Sequence, residues 1–518
     1  MNIKYIWLLL ILFGFMACDD DKYDNPNNEP VEVIPGTADF SRFVAVGNSL
    51  AAGYTDGALF VAGQNNSLPN ILSGRMALAG GSEDFSQPFT NDNIGGLLLG
   101  GNQIANARLF FDGSGPAVLP GVPTTEVSIV LAGPYNNMGV PGAKGFHLLA
   151  KGYGNIAGLA LGLANPYFVR MASNPNASVI EDAMAQDPTF FALVIGENDV
   201  LGYAVSGGDG SDPITDQATF DAAFGALVAT LTSGGAKGIV SNIADVTALP
   251  YFTTISYNPL EPSNPAFGPQ IPLLNKTFAP LNQAYAYLGS LGIDVSGRSI
   301  VFSETEASPI VIHDESIPNL AAQLMGVLIG GGLDPLTAGL LANQYGQSRQ
   351  ATEDDLVVLT SSTVIATLNV EYFTQLVTAG VPQETAGQLS INGITYPMQD
   401  KWILLPSEQM EIKAATDMFN ITIQQLTNSA GLALLDSKAI MEQVAGPGYA
   451  SDGFVLTDDL VLGGTFSLDG VHPTARGYSA MVNEMLKSID ATYGSNFEEA
   501  GALNDIGDYP VFYSTDLQ

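Results

Sequence analysis

The stretch Phe43–Tyr54, FVAVGNSLAAGY, changes character halfway along. Phe43, Val44, Ala45 and Val46 form the short apolar run expected of a buried strand. Gly47-Asn48 breaks it, and Ser49 then opens a helix-like segment through Leu50-Ala51-Ala52. A serine at such a turn is held at the carboxyl edge of a sheet, where the first N–H groups of the new helix have no partner within the helix. That suits a nucleophile whose reaction generates an oxyanion. A serine before a helix also serves simply as an N-cap, and Gly-x-Ser-Leu alone leaves both roles open.

The same strand signal recurs along the chain. Phe190–Asn198, FFALVIGEN, has six apolar residues before Gly196-Glu197-Asn198-Asp199 and reads as the clearest buried strand. Gly238–Ile243 and Leu432–Leu435 are further strand candidates. YNNMGVPGAKG, residues 135–145, predicts a tight glycine turn, followed by an apolar helix-like stretch from Phe146 to Leu163.

Near the end the helical periodicity is regular. Ile412, Ala415, Phe419, Ile423 and Leu426 recur at three- and four-residue steps, with Ser407 as the expected cap and Gly431 as the stop. After Leu468-Asp469-Gly470-Val471-His472-Pro473, a last helix carries Tyr478, Val482, Met485 and Ile489 on its apolar face. Pro473 is expected in its first turn. Strands alternating with helices predict an α/β layered domain with a parallel sheet and functional groups at the strands' carboxyl ends.

Two long segments interrupt this pattern. Residues 56–130, rich in Gly, Asn and Pro, read as an insertion on one edge of the domain. Residues 251–401 read as a second insertion. Its glycine-rich apolar segment, Leu324–Leu341, suits either a lid touching an acyl group or the insertion's own core, and Asp334-Pro335 breaks it as a continuous helix.

Composition narrows the function. Of 518 residues, 46% are hydrophobic, so the chain can bury a large core. With 17 basic against 52 acidic residues the net charge is −35, a field that repels phosphate backbones and argues against nucleic-acid binding. The single cysteine, Cys18, follows Lys4, the apolar run Ile6–Met16 and Ala17. This reads as an export signal too short to be a permanent span. It resembles a bacterial lipobox, which implies cleavage after residue 17 and lipidation of Cys18; an ordinary secretory signal is the alternative. Residues 18–36, acidic and rich in Asn and Pro, read as a disordered tether. Their acidic start resembles the surface-export signal of Bacteroidetes lipoproteins, implying the outer membrane. The domain proper is then 37–518.

Chemistry concentrates in few residues. The histidines are His147, His313 and His472, with no His-Glu-x-x-His pattern and no spare cysteine for a zinc centre. Asp469 precedes His472 by three. A carboxylate on one imidazole nitrogen fixes the tautomer and frees the other to take a serine's proton. GNSL (47–50), GVPGA (139–143), GEND (196–199) and DGVH (469–472) occur in that order.

This set resembles the SGNH hydrolases, the GDSL lipase/esterase family. The resemblance implies a three-layer αβα, flavodoxin-like fold enlarged by two insertions, and no cofactor or metal. It implies Ser49 as nucleophile, His472 as general base and Asp469 as its orienting acid. The oxyanion hole would be the backbone N–H groups of Ser49 and Gly142 and the side-chain amide of Asn198, with Gly139 as the alternative glycine. Asn48 stands where the family has aspartate. His147 and His313 read as structural, with His313 the better placed to line a substrate groove.

The implied activity is a serine esterase acting on lipid, aryl or acylated-glycan esters. A carbohydrate O-acetyl esterase of the same fold is the second reading. A non-catalytic surface lipoprotein that binds glycans or partners is the third.

Overall fold

A computed structural model describes residues 31–517. The export signal, Cys18 and most of the expected tether lie outside the described residues. Of the tether's last residues, Ile34 donates its N–H to Asn496 Oδ1 at 2.8 Å, and Asn496 Nδ2 donates to the Glu32 carbonyl at 3.0 Å. The chain is therefore already pinned to the domain before residue 37.

Five parallel strands form the central sheet: β1 (Phe43–Gly47), β2 (Asn137–Gly139), β3 (Phe190–Val194), β4 (Lys237–Ser241) and β5 (Ala433–Leu435), in the spatial order β2-β1-β3-β4-β5. Ala45 of β1 faces Asn137 on one side and Ala192 on the other. The chain leaves β1 toward β2 and leaves β3 toward β4. The connections thus part between β1 and β3, which opens a crevice at their carboxyl ends.

The helices follow from the apolar runs and their caps. They are α1 (Ser49–Ala52), α2 (Leu68–Ala77), α3 (Val179–Met184), α4 (Asn198–Val205) and α5 (Gln217–Thr232). Within the second insertion come α6 (Ile271–Ser290), α7 (Ala321–Gly330) and α8 (Pro335–Tyr345). The chain closes with α9 (Pro406–Ala430), α10 (Ser437–Val444) and α11 (Ala475–Tyr493).

Because strand side chains alternate, the sheet presents two apolar faces. Val44, Val46, Phe191, Leu193 and Val240 pack with α3, α5 and α9, where Phe220 and Phe419 stack at 3.9 Å. Phe43, Ala45, Phe190, Ala192, Ile239 and Leu435 pack with α2 and α11. Helices on both faces of a parallel sheet are compatible with the expected three-layer architecture. Each side chain so buried contributes roughly 1.5–3 kcal/mol of hydrophobic stabilisation.

Several local expectations need correction. Phe146–Leu163 is not a helix but two short 3₁₀ turns, Gly145–Leu149 and Ile156–Leu161; Gly152 and Gly162, at φ 82° and 68°, bend the chain out of helical geometry. Ser407 does not cap α9. The helix starts a residue earlier at Pro406, and the Glu408 carboxylate accepts the Leu405 N–H at 2.7 Å. Pro473 lies before α11, whose cap is Thr474, its hydroxyl accepting the Gly477 N–H at 3.0 Å. Gly431 does end α9, at φ 64°.

The first insertion is more than an edge decoration. Its helix α2 lays Leu68, Ile71, Leu72 and Met76 on the sheet. The second insertion has a hydrophobic core of its own, containing Phe278, Leu281, Tyr285, Ile300 and Ile312. Leu324–Leu341 belongs to that core: α7 and α8 are separated at 331–334, Asp334 caps α8, and Leu324, Leu328 and Ala338 are buried. Among the described residues no helix is long and apolar enough to cross a membrane.

Candidate active site

Ser49, His472 and Asp469 meet at the carboxyl end of β1. His472 Nε2 lies 2.9 Å from Ser49 Oγ, and its Nδ1 lies 2.9 Å from Asp469 Oδ2. The two ring nitrogens therefore have separate partners, one carboxylate and one hydroxyl. Ser49 and His472 are 423 positions apart in the chain, so the loops that carry them must be tied together.

They are tied by a dense set of bonds. Gly57 donates its N–H to Asp469 Oδ2 at 2.8 Å, Asp56 donates its N–H to Ser467 Oγ at 2.9 Å, and Thr55 Oγ1 donates to the Pro473 carbonyl at 3.0 Å. Asp56 Oδ1 in turn accepts the Leu468 N–H at 3.1 Å. Burial pushes the Asp56 carboxyl up to about 7 despite that bond. The start of the first insertion is thus the strap that holds the Asp469 loop.

Asp469 is itself saturated. Its Oδ1 accepts the N–H of Val471 at 2.9 Å and of His472 at 2.8 Å. Burial works against its charge, but the facing imidazole and these backbone donors prevail and hold its carboxyl at about 2. The loop turns at Gly470, φ 72°, where a Cβ would lie 2.9 Å from the backbone nitrogen of Tyr251. Tyr251 donates that N–H to the Gly470 carbonyl at 3.0 Å. The Tyr54 ring packs against His472 with centroids 4.7 Å apart.

The serine's turn is held by Asn48. Its Oδ1 caps α1 by accepting the Leu50 N–H at 2.9 Å, and its Nδ2 donates to Glu197 Oε2 at 2.6 Å. Glu197 Oε1 is buried without a partner among the described residues. Burial pushes the Glu197 carboxyl up to about 7, beyond what its bonds pull back. An aspartate at 48 would set two carboxylates against each other here, which gives Asn48 a physical reason.

Asn198 opens α4 beside Ser49 in the same cavity wall. Its Nδ2 donates to the Ala143 carbonyl at 3.0 Å, and an amide nitrogen carries a second hydrogen. Gly142 is exposed, at φ 77° in the turn after β2, with nothing near the position of a Cβ. Asp199 fixes the following turn by accepting the Gly145 N–H at 2.9 Å. Gly139 is glycine for packing: a Cβ there would lie 2.3 Å from the Ala52 nitrogen of α1.

The remaining histidines lie elsewhere. His147 accepts the Lys144 N–H on Nδ1 at 3.0 Å and stacks on Tyr153 at 4.8 Å; burial lowers its imidazole to about 4. His313 does not line the cavity at Ser49. It pairs in a two-stranded ribbon of the second insertion and borders a separate hollow with Tyr372 and Tyr396. The expected contribution of His313 to a substrate groove at Ser49 is therefore withdrawn.

Sequence reading passed over Glu197, Gly57 and the cavity wall. Glu197 sits inside the GEND motif, but nothing in the local pattern marks its bond to Asn48. The cavity at Ser49 and His472 offers about 100 Å³ of room to a water-sized molecule. Much of its wall comes from α10 and from residues 449–466, whose apolar character reads in the sequence only as core.

No protein-family model, no curated protein and no solved structure matches this chain.

Proposed function

We propose that this chain is a serine-dependent carboxylic ester hydrolase of the SGNH kind. The observation that carries the reading is the continuous Asp469–His472–Ser49 relay, with 2.9 Å at each step. Support also comes from its location at the parting of the connections between β1 and β3, with the strand order β2-β1-β3-β4-β5 that flavodoxin-like folds share.

In this reading Ser49 Oγ attacks the ester carbonyl while His472 Nε2 takes its proton. Asp469 holds the imidazole in the tautomer with hydrogen on Nδ1 and stabilises the imidazolium. The tetrahedral oxyanion is held by the Ser49 N–H at the head of α1, by the second hydrogen of Asn198 Nδ2 and by the Gly142 N–H. Collapse expels the alcohol, which receives the proton from His472, and leaves an acyl-enzyme. Water, deprotonated by the same nitrogen, then releases the acid and restores the serine. No step requires a cofactor.

The test is hydrolysis of chromogenic esters by the wild-type protein and Ser49→Ala. The expected outcome is a fall in kcat of at least about 10⁴-fold with an unchanged melting temperature. Equal activity in the two proteins overturns the mechanism. We further propose that the chain works at the outer membrane, anchored through lipidated Cys18. Release of Cys18→Ser into the soluble fraction is the expected result.

A further inference from the structure

The cavity at Ser49 differs sharply from one end to the other. Its mouth carries Ser49, Asn198, Glu197 and His472, whereas the rest of its wall is almost wholly apolar. Ile440, Met441 and Val444 of α10 line it along one helical face, spaced three and four residues apart, opposite Ala480 and Met481 of α11. Tyr449 and Leu456 close it further. Met441, Val444 and Leu456 are each at most 5% exposed, so this part of the wall lies below the surface.

Three of the lining's polar residues are already engaged, while Glu197 Oε1 and Thr465 Oγ1 are buried without a partner among the described residues. Asn48 holds Leu50 and Glu197, Ser437 is 2.8 Å from Ser241, and one hydrogen of Asn198 holds Ala143. Among the described residues no lysine or arginine lines the cavity. Those two atoms are too few for a sugar ring, which would leave most of its hydroxyl groups without partners in the channel, at the cost of losing their water. An alkyl chain needs none.

Resting on the ester-hydrolase reading above, we propose that the channel along α10 receives the acyl chain of the substrate. The substrate class is then esters of medium-chain fatty acids, with the alcohol left outside the mouth. The channel's length sets the chain. From Ser437 to Val444 α10 rises ~10 Å at 1.5 Å per residue. An extended chain with C–C bonds of about 1.5 Å advances ~1.3 Å per carbon, so roughly eight carbons fill it. Each methylene taken from water into such a wall raises kcat/KM about fourfold until the channel is full. Acetyl esters use almost none of this surface, which separates this proposal from a glycan deacetylase.

The experiment uses the full-length protein with p-nitrophenyl esters from acetate to dodecanoate. In parallel, calorimetry measures binding of the uncharged ester isosteres N-methyloctanamide and N-methylacetamide to Ser49→Ala. The expected profile rises at least 100-fold from acetate to a maximum between hexanoate and decanoate, then falls. Met441→Trp, which fills the channel midway, is expected to cut the octanoate-to-acetate ratio at least tenfold. Ala480→Leu narrows the opposite wall and is expected to act in the same direction, should Met441→Trp not fold.

A Ser49-dependent profile that is flat or highest at acetate, with no preference for the octanamide, overturns the acyl-channel proposal and leaves the esterase standing. Absence of all hydrolysis, with tight octanamide binding that Met441→Trp abolishes, overturns the esterase reading and supports the channel. Absence of both overturns both.

Discussion

The sheet domain and the second insertion are built on separate hydrophobic cores, and the proposed mechanism draws its groups from only one of them. The sheet core is divided by strands whose alternate side chains face α2 and α11 on one side and α3, α5 and α9 on the other. Every group of the proposed mechanism hangs from a strand's carboxyl end or from the loop before α11. The insertion core gathers α6, α7 and α8 around short ribbons. The insertion's first residue, Tyr251, packs against the sheet core and holds the Gly470 carbonyl through its N–H. The difference teaches that the proposed relay is assembled on the sheet's edge, while the larger insertion supplies a brace.

This contrast can be broken most directly at the histidines. His472→Ala removes the base and is expected to lower kcat on a soluble ester by about 10⁴-fold or more. His313→Ala in the insertion is expected to leave kcat within about twofold. Loss of activity in the second variant would place the insertion inside the chemistry.

Stability gives the next largest effect. Ile489→Ala empties a fully buried site between α11 and the sheet, and Leu324→Ala empties one in the insertion core. Each is expected to cost about 2–5 kcal/mol. Denaturation followed by both ester hydrolysis and circular dichroism distinguishes them. Ile489→Ala should lower both transitions together, whereas Leu324→Ala should lower the insertion's transition more than the loss of activity.

Gly470→Ala probes the brace itself. The added Cβ meets the Tyr251 nitrogen at 2.9 Å in a backbone with φ 72°. A destabilisation of about 1–3 kcal/mol is expected, together with a lower kcat as Asp469 is displaced. An unchanged kcat would mean that the insertion does not support the acid.

The smallest effect concerns Glu197. Its carboxyl stands at about 7 in the folded protein, above the ordinary 4.5. A raised carboxyl binds its proton more tightly in the folded state. Its contribution is therefore complete below about 4.5 and is lost as pH rises through about 7. Glu197→Gln keeps an acceptor for Asn48 and never ionises, so the fall in melting temperature between pH 5 and 8 should become shallower, on the order of 1 kcal/mol. An unaltered slope would mean that Glu197 does not carry this proton.

Much of the sheet was legible because buried parallel strands leave continuous apolar runs, as in FFALVI. The residues of the proposed relay were legible because strand ends concentrate Gly, Ser, Asn and Asp in short patterns. The stretch Phe146–Leu163 misled because its apolar content is helical while its glycines are not. The role of Pro473 misled by two residues because Thr474 is the stronger cap. Glu197's bond to Asn48 and the channel along α10 could not be read at all. Both are made by residues far apart in the chain, and apolar side chains facing a cavity look the same in sequence as those facing a core.

The strap between residues 55–57 and 467–473 also dates the moment when the proposed relay can form. A growing chain carries Ser49 from its first tenth, yet its base arrives some 420 residues later. Until residue 472 is made, the proposed relay lacks its imidazole, and a product that stops short of that residue cannot form it.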